Sequence, residues 1–169
     1  MVCINLSGQS IGDRAFHRQA AELLTAAGQE ICQRLCLEIT ETAAITNLAD
    51  AAVFIGQMRH LGVRIALDDF GAGASSFSYL KNLRVDILKI DGHFIRDLVE
   101  DPLDDVAVRC FVDLARVLNL RTVAEFVHNA AVLRRVHEIG IHDVQGFFLH
   151  RPEPLQRVLQ PTHLGEAAT

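Results

Sequence analysis

Val63-Arg64-Ile65-Ala66-Leu67-Asp68-Asp69-Phe70-Gly71 is an apolar run that stops on two adjacent carboxylates and a glycine. It is too short for a helix and rich in aliphatic side chains, so it reads as a buried strand, Val63 to Leu67, with Asp68 and Asp69 at its end. The same figure recurs on both sides of it. Val2 to Leu6 carries Asn5, Leu35 to Thr40 carries Glu38, and Ile87 to Ile90 carries Lys89 and leads to Asp91. Arg121 to Ala124 leads to Glu125, and Val144 to Phe148 carries Gln145. Helical patterns separate these runs. One covers about Asp13 to Ala27, with Phe16, Ala20, Leu23 and Leu24 on a single face, and one covers Leu48 to Leu61, closed by Gly62. A short helix is expected over Ser75 to Leu83, longer ones over Asp104 to Leu118 and from an Asn129 cap to Ile139, where Gly140 ends it. This alternation predicts an α/β fold with a parallel sheet or barrel.

Parallel barrel strands place their C-terminal ends on one face, where barrel enzymes gather reactive groups. Carboxylates crowded there repel one another unless they are protonated or bridged by cations. Hard oxygen ligands suit Mg²⁺ or Mn²⁺, and two such ions suit the attacking and leaving oxygens of a phosphodiester. Lys89, one pleat period before Asp91, points toward the same interior to orient water or offset charge.

At 169 residues and 50% hydrophobic, the chain can bury one core, yet it falls short of the roughly 250 residues of a complete eight-stranded barrel. A formal net charge of −5 argues against long nucleic acid as a partner. Cys3, Cys32, Cys36 and Cys110 lack a zinc-type spacing, and their apolar neighbours predict reduced core thiols in a cytosolic protein. His60, His137 and His142 read as solvated or satisfied side chains. No apolar stretch approaches the roughly 18 residues of a membrane span, and no secretory leader is recognisable, so no direct membrane contact is expected. Pro154, Pro161 and Gly165 mark a tail, giving one domain over 1–155 and a tail over 156–169.

The ordered motifs Asn5-Leu6-Ser7, Glu38-Ile39-Thr40-Glu41, Asp68-Asp69-Phe70-Gly71, Leu88-Lys89-Ile90-Asp91, Ala124-Glu125 and Gln145-Gly146 resemble the EAL domains of bacterial cyclic di-GMP signalling. The resemblance implies a modified TIM barrel that hydrolyses cyclic di-GMP to linear pGpG with two Mg²⁺ or Mn²⁺ ions in a bacterial cytoplasm. Carried over by position, Asn5, Glu38, Asp68, Asp69 and Glu125 become metal ligands, and Lys89, Glu125 and Asp91 catalytic groups. Gln145, Asp69, Phe70 and Gly71 become substrate contacts. Glu41 resembles the glutamate that anchors the loop Phe70 to Ser76, where Ser75 and Ser76 offer hydrogen bonds. The plainer alternative is that some of these carboxylates cap the helices that follow the strands.

Departures from the family bear on activity. The glutamate of the EAL signature belongs to a segment preceding Asn5, so the barrel is expected to be incomplete, with its first strand or strands absent. Exposed strand edges then predict a homo-oligomer, and a longer parent protein with a fused sensor or GGDEF domain. Where the family reads Glu-Gly-Val-Glu, this chain reads Glu125-Phe126-Val127-His128. Phe126 adds bulk at a glycine position, and the imidazole of His128 does not replace a carboxylate. Arg84 stands where the family has proline. The expectation is a cyclic di-GMP domain impaired in hydrolysis, the alternative an inactive receptor or protein-interaction domain.

Overall fold

The computed structural model describes residues 1–73 and 77–158. The chain opens with β1 (Val2–Leu6), α1 (Gly8–Gly12), α2 (Arg14–Ala27) and α3 (Gln29–Cys32). It continues through β2 (Leu35–Thr40), α4 (Glu41–Thr46), α5 (Leu48–His60) and β3 (Arg64–Phe70), then a 3-10 turn, Phe77–Lys81. β4 (Ile87–Ile90), α6 (Gly92–Arg96), α7 (Pro102–Val117), β5 (Arg121–Ala124), α8 (Ala130–Ile139), β6 (Asp143–Val144) and α9 (Leu155–Val158) complete it. The six strands form one parallel sheet in the order β1 to β6, an open part of a β/α barrel.

Register explains how the sheet sorts its side chains. Asn5 lies opposite Glu38, Glu38 opposite Ala66, and Lys89 opposite Val123. With a side-chain period of two, Cys36, Ala66, Ile87 and Val123 share the concave face, where they form a small apolar layer. Two residues further along each strand, Glu38, Asp68, Lys89 and Glu125 follow on that face. The opposite face, including Ile39, Ile65, Leu67, Leu88 and Ile90, is buried under the helices with Phe54, Ile55, Met58 and Val108. Both faces of the central strands are therefore covered, as parallel sheets require.

Caps account for several helix starts. Asp101 accepts from the Leu103 N–H at 2.8 Å ahead of Pro102, and Asn129 accepts from Val132 at 2.8 Å. Thr40 accepts from the Ala43 N–H at 3.3 Å and starts α4 directly at the end of β2.

Some expectations change. The last strand is Asp143–Val144, and the chain turns at Gly146 with Leu149 and His150 donating back to the Gly146 carbonyl. The short helix narrows to the 3-10 turn, while Ser75 and Ser76, like Pro161 and Gly165, lie outside the described residues. Cys32 and Cys36 are buried, but Cys3 on the edge strand β1 and Cys110 on the outer side of α7 are exposed; all four are free thiols. Burial, then the neighbouring thiol of Cys3, pushes Cys36 up to about 12, which keeps it protonated. Among the described residues no helix is long and apolar enough to cross a membrane.

Candidate active site

Lys89 is the centre of the concave face. It is 4% exposed, and its ammonium donates to Glu38 Oε2 at 2.9 Å and Asp68 Oδ1 at 2.8 Å, and pairs with Glu125 Oε1 at 2.8 Å. Burial by itself lowers a lysine pKa, but the hydrogen bonds it donates to Asp68, Glu125 and Glu38 outweigh it, so Lys89 stays charged with its pKa raised. One cation thus serves three carboxylates, and the negative charge is left in excess.

That excess is visible at Glu125 and Asp69. Burial raises the Glu125 pKa, Lys89 opposes the rise, and Asp68 and Asp69 add to it. Asp69 is raised by burial and then by the charges of Asp68 and Asp91. One ligand oxygen from each of Asp68, Asp69 and Glu125 lies within 4.8 Å of the others. Three carboxylates at this spacing, with two held above their ordinary pKa range, form an oxygen-rich donor set that fits a hard divalent cation. Crowded like charge is what such an ion neutralises.

The acidic pair is shaped by an irregularity in β3. The β3 to β4 register shifts between Leu67 and Phe70, and Asp69 adopts φ 54, a left-handed conformation that Asp tolerates better than most residues. The shift brings both Asp68 and Asp69 to the strand end. It also reverses the facing of Phe70, which the alternation places beside Asp68. Phe70 is instead 0% exposed, its ring 5.1 Å from Phe111 and 5.4 Å from Phe77, so it offers a ligand no side-chain surface.

Gly71 follows with φ 99, and a Cβ there would fall 2.7 Å from Phe94 and 3.0 Å from Phe111. Its N–H donates to Glu41 Oε2 at 3.0 Å, and the Tyr79 hydroxyl donates to Glu41 Oε1. Glu41 is 1% exposed and ties the chain after Asp69 to the start of α4. Burial, then this hydrogen bond, raises the Tyr79 pKa and keeps its proton on the phenol. Tyr79 is a site residue that the motif reading passed over. Its signal was available: it is the chain's single tyrosine, set between the apolar Phe77 and Leu80, and a tyrosine hydroxyl that becomes buried needs an acceptor.

The remaining candidates lie around this centre. Asn5 is exposed on the edge strand, beside Glu38 in register. Asp91 caps α6 by accepting from the His93 N–H at 2.7 Å, the capping role that the plainer alternative gives such residues, and it also faces Asp69 as a charge. Glu125, Phe126, His128, Gln145, Phe147 and His150 line a cavity of about 280 Å³. His128 is exposed, its ring bonded to Asn129 at 2.9 Å, so an imidazole occupies the rim beside Glu125. Arg84 lies elsewhere, in a second cavity with Arg59 and Lys81 at the strands' N-terminal side.

The EAL domain family profile matches residues 1–152. The chain is 41% identical over 158 residues to the cyclic di-GMP phosphodiesterase PdeB of Shewanella oneidensis, covering 91% of this chain and 18% of that protein. It is 40% identical over 152 residues to the cyclic di-GMP phosphodiesterase PdeF of Escherichia coli, covering 90% and 20%. The chain therefore spans about a fifth of the length of these curated relatives. The structure superposes on the PaMucR phosphodiesterase in complex with c-di-GMP with a TM-score of 0.85 and 36% identity, over 93% of this chain and 63% of that one. The FimX EAL domain from Pseudomonas aeruginosa bound to c-di-GMP gives a TM-score of 0.80 at 26% identity, over 89% and 62%. These likenesses assign the open sheet to a TIM-like barrel that is incomplete here. With the family profile running through all six strands and the relatives sharing about two residues in five, this chain belongs to the EAL domain family of cyclic di-GMP signalling.

Proposed function

We propose that this chain binds cyclic di-GMP at the carboxylate face and hydrolyses it to pGpG slowly. The observation that carries the reading is the approach of Asp68, Asp69 and Glu125 to within 4.8 Å around a buried Lys89. A barrel kept only as scaffold has no physical use for carboxylates packed this closely, whose mutual repulsion costs free energy to assemble. The ligand set proposed for Mg²⁺ or Mn²⁺ is Asp68, Asp69 and Glu125, joined by Glu38 and Asn5. When bound, such ions supply Lewis acidity toward a phosphoryl oxygen and an easily deprotonated water.

The chain's own residues do the rest. Lys89 holds Glu38, Asp68 and Glu125 in fixed positions and offsets their charge before ligand arrives. Glu41 fixes the Gly71 backbone, and with it the direction of Asp69. Gln145, at the cavity, offers an amide donor and acceptor to the nucleotide. Asp91 adds negative charge near Asp69, strengthening cation binding. His128 is the weak point, because its imidazole supplies neither a carboxylate ligand nor an equivalent proton acceptor at the rim.

Calorimetric titration of cyclic di-GMP with and without Mn²⁺, followed by chromatography for pGpG, tests the reading. Binding with slow product formation is expected, and His128→Glu is expected to raise turnover about 100-fold, the lower end of the range of a positioned proton-transfer group. Binding without product in either protein identifies a receptor. Absence of binding sinks the proposal.

A second inference concerns assembly. Val2 and Ile4 on β1 are 58% and 43% exposed at a strand edge that, among the described residues, pairs on one side only. Such an edge recruits another chain, so the protein is expected to sediment as a dimer or larger. A single monomeric species at high concentration would contradict this.

A further inference from the structure

The residue after Glu125 has a geometry that core packing does not account for. Phe126 adopts φ 61, a strained conformation for an aromatic residue. Its ring is nevertheless not withdrawn into the core, since the residue remains 55% exposed. Strain combined with incomplete burial is the pattern of a side chain held out for contact with something else.

What holds it is α6. Phe126 lies directly on Gly92, where an added Cβ would stand 2.6 Å from Phe126 Cβ and 3.0 Å from Cγ and Cδ2. One turn further on the same helix, the Arg96 guanidinium sits 5.0 Å from the ring centroid. A glycine seat and a cation fix the ring from the α6 side. The remaining ring surface borders the 280 Å³ cavity, together with Glu125, Gln145 and the 63% exposed Phe147. A planar heterocycle entering that cavity meets an immobilised aromatic ring, an amide able to read its polar edge, and the carboxylate centre where its phosphate would lie.

We infer that Phe126 is a stacking platform for one purine base of the ligand, and that it sets base recognition at the mouth of the carboxylate site. This rests on the reading that the site takes a purine nucleotide, and it opposes the simpler idea that Phe126 obstructs entry. The two ideas predict opposite signs on removal of the ring.

The test uses two variants. Phe126→Leu keeps apolar bulk without a π face and is expected to weaken cyclic di-GMP binding by roughly 5- to 150-fold, the span of one base stacked on one aromatic ring. Phe126→Trp introduces the chain's only tryptophan, because the sequence contains none. Its fluorescence is expected to be quenched by guanosine monophosphate and by cyclic di-GMP, and to be unaffected by ribose 5-phosphate, which has no base. Thermal melts matching the wild type establish that both variants fold. Undiminished or tighter binding by Phe126→Leu overturns the platform while leaving cyclic di-GMP binding intact. Guanosine monophosphate binding that Phe126→Leu weakens, with cyclic di-GMP refused by the wild type, upholds the platform and rejects the cyclic dinucleotide. Refusal of both nucleotides by the wild type, with no quenching, rejects both readings.

Discussion

Lys89→Met is expected to destabilise the folded chain by about 3–5 kcal/mol near neutral pH, the cost of breaking a buried ion pair by removing one partner. The methionine fills similar volume, so the loss reports charge and not a cavity. Glu38 and Asp68 lose their 2.9 and 2.8 Å donor, and Glu125 its 2.8 Å partner. Urea unfolding in chelator-treated buffer measures the effect. Wild-type stability in Lys89→Met would show that the three carboxylates are not held together by this ammonium.

The pH dependence of the same variant has a definite sign. Burial and like charges raise the pKa values of Glu125 and Asp69 in the fold. A carboxyl raised above its unfolded value contributes stability that is present below the unfolded pKa and is lost as pH rises through the folded one. The penalty in Lys89→Met is therefore expected to shrink at about pH 5 and to be full at about pH 8. Mn²⁺ should raise the unfolding midpoint more at the higher pH, and more in the variant than in the wild type, because ligand bound only to the folded state stabilises it. A cation increment independent of pH would separate the ion from these carboxylates.

Glu41→Ala is expected to cost about 2–6 kcal/mol, since one buried and one half-buried donor lose their acceptor at roughly 1–3 kcal/mol each. Those donors are the Gly71 N–H, 3.0 Å from Oε2, and the Tyr79 hydroxyl. The larger consequence is for the cation site. With the Gly71 backbone released, the orientation of Asp69 two residues earlier is no longer imposed. A fall in Mn²⁺ affinity of about 10- to 100-fold is expected, the range seen when partners behind metal ligands are removed. Glu41→Gln retains an amide oxygen and is expected to recover most of the stability. Unchanged Mn²⁺ affinity in Glu41→Ala would remove the anchoring role, whatever happens to the melt.

Local periodicity was sufficient for much of the fold. The expected runs Val2 to Leu6, Leu35 to Thr40, Ile87 to Ile90 and Arg121 to Ala124 are strands with those bounds. Their period of two also places Glu38 with Cys36, and Lys89 with Ile87, on one face of the sheet. The short helices α1, α3, α4 and α6 escaped notice because four to six residues are too few to show a 3.6-residue pattern. Only their caps, Ser7, Thr40 and Asp91, were there to be read.

The sequence alone therefore determined the βα alternation, the family and the polar residues that end each strand, because these depend on side-chain type and spacing within a single segment. Tertiary structure decided what no single segment encodes. The register shift at Asp69 sends Phe70 into the aromatic core while keeping Asp68 and Asp69 together. Lys89 meets Glu38, Asp68 and Glu125 from β2, β3 and the end of β5, and Phe126 finds Gly92 and Arg96 on a helix thirty or more residues earlier. Such contacts depend on the relative heights of neighbouring strands, which the packing of the whole sheet sets, and strand alternation gives a side chain's direction without that height.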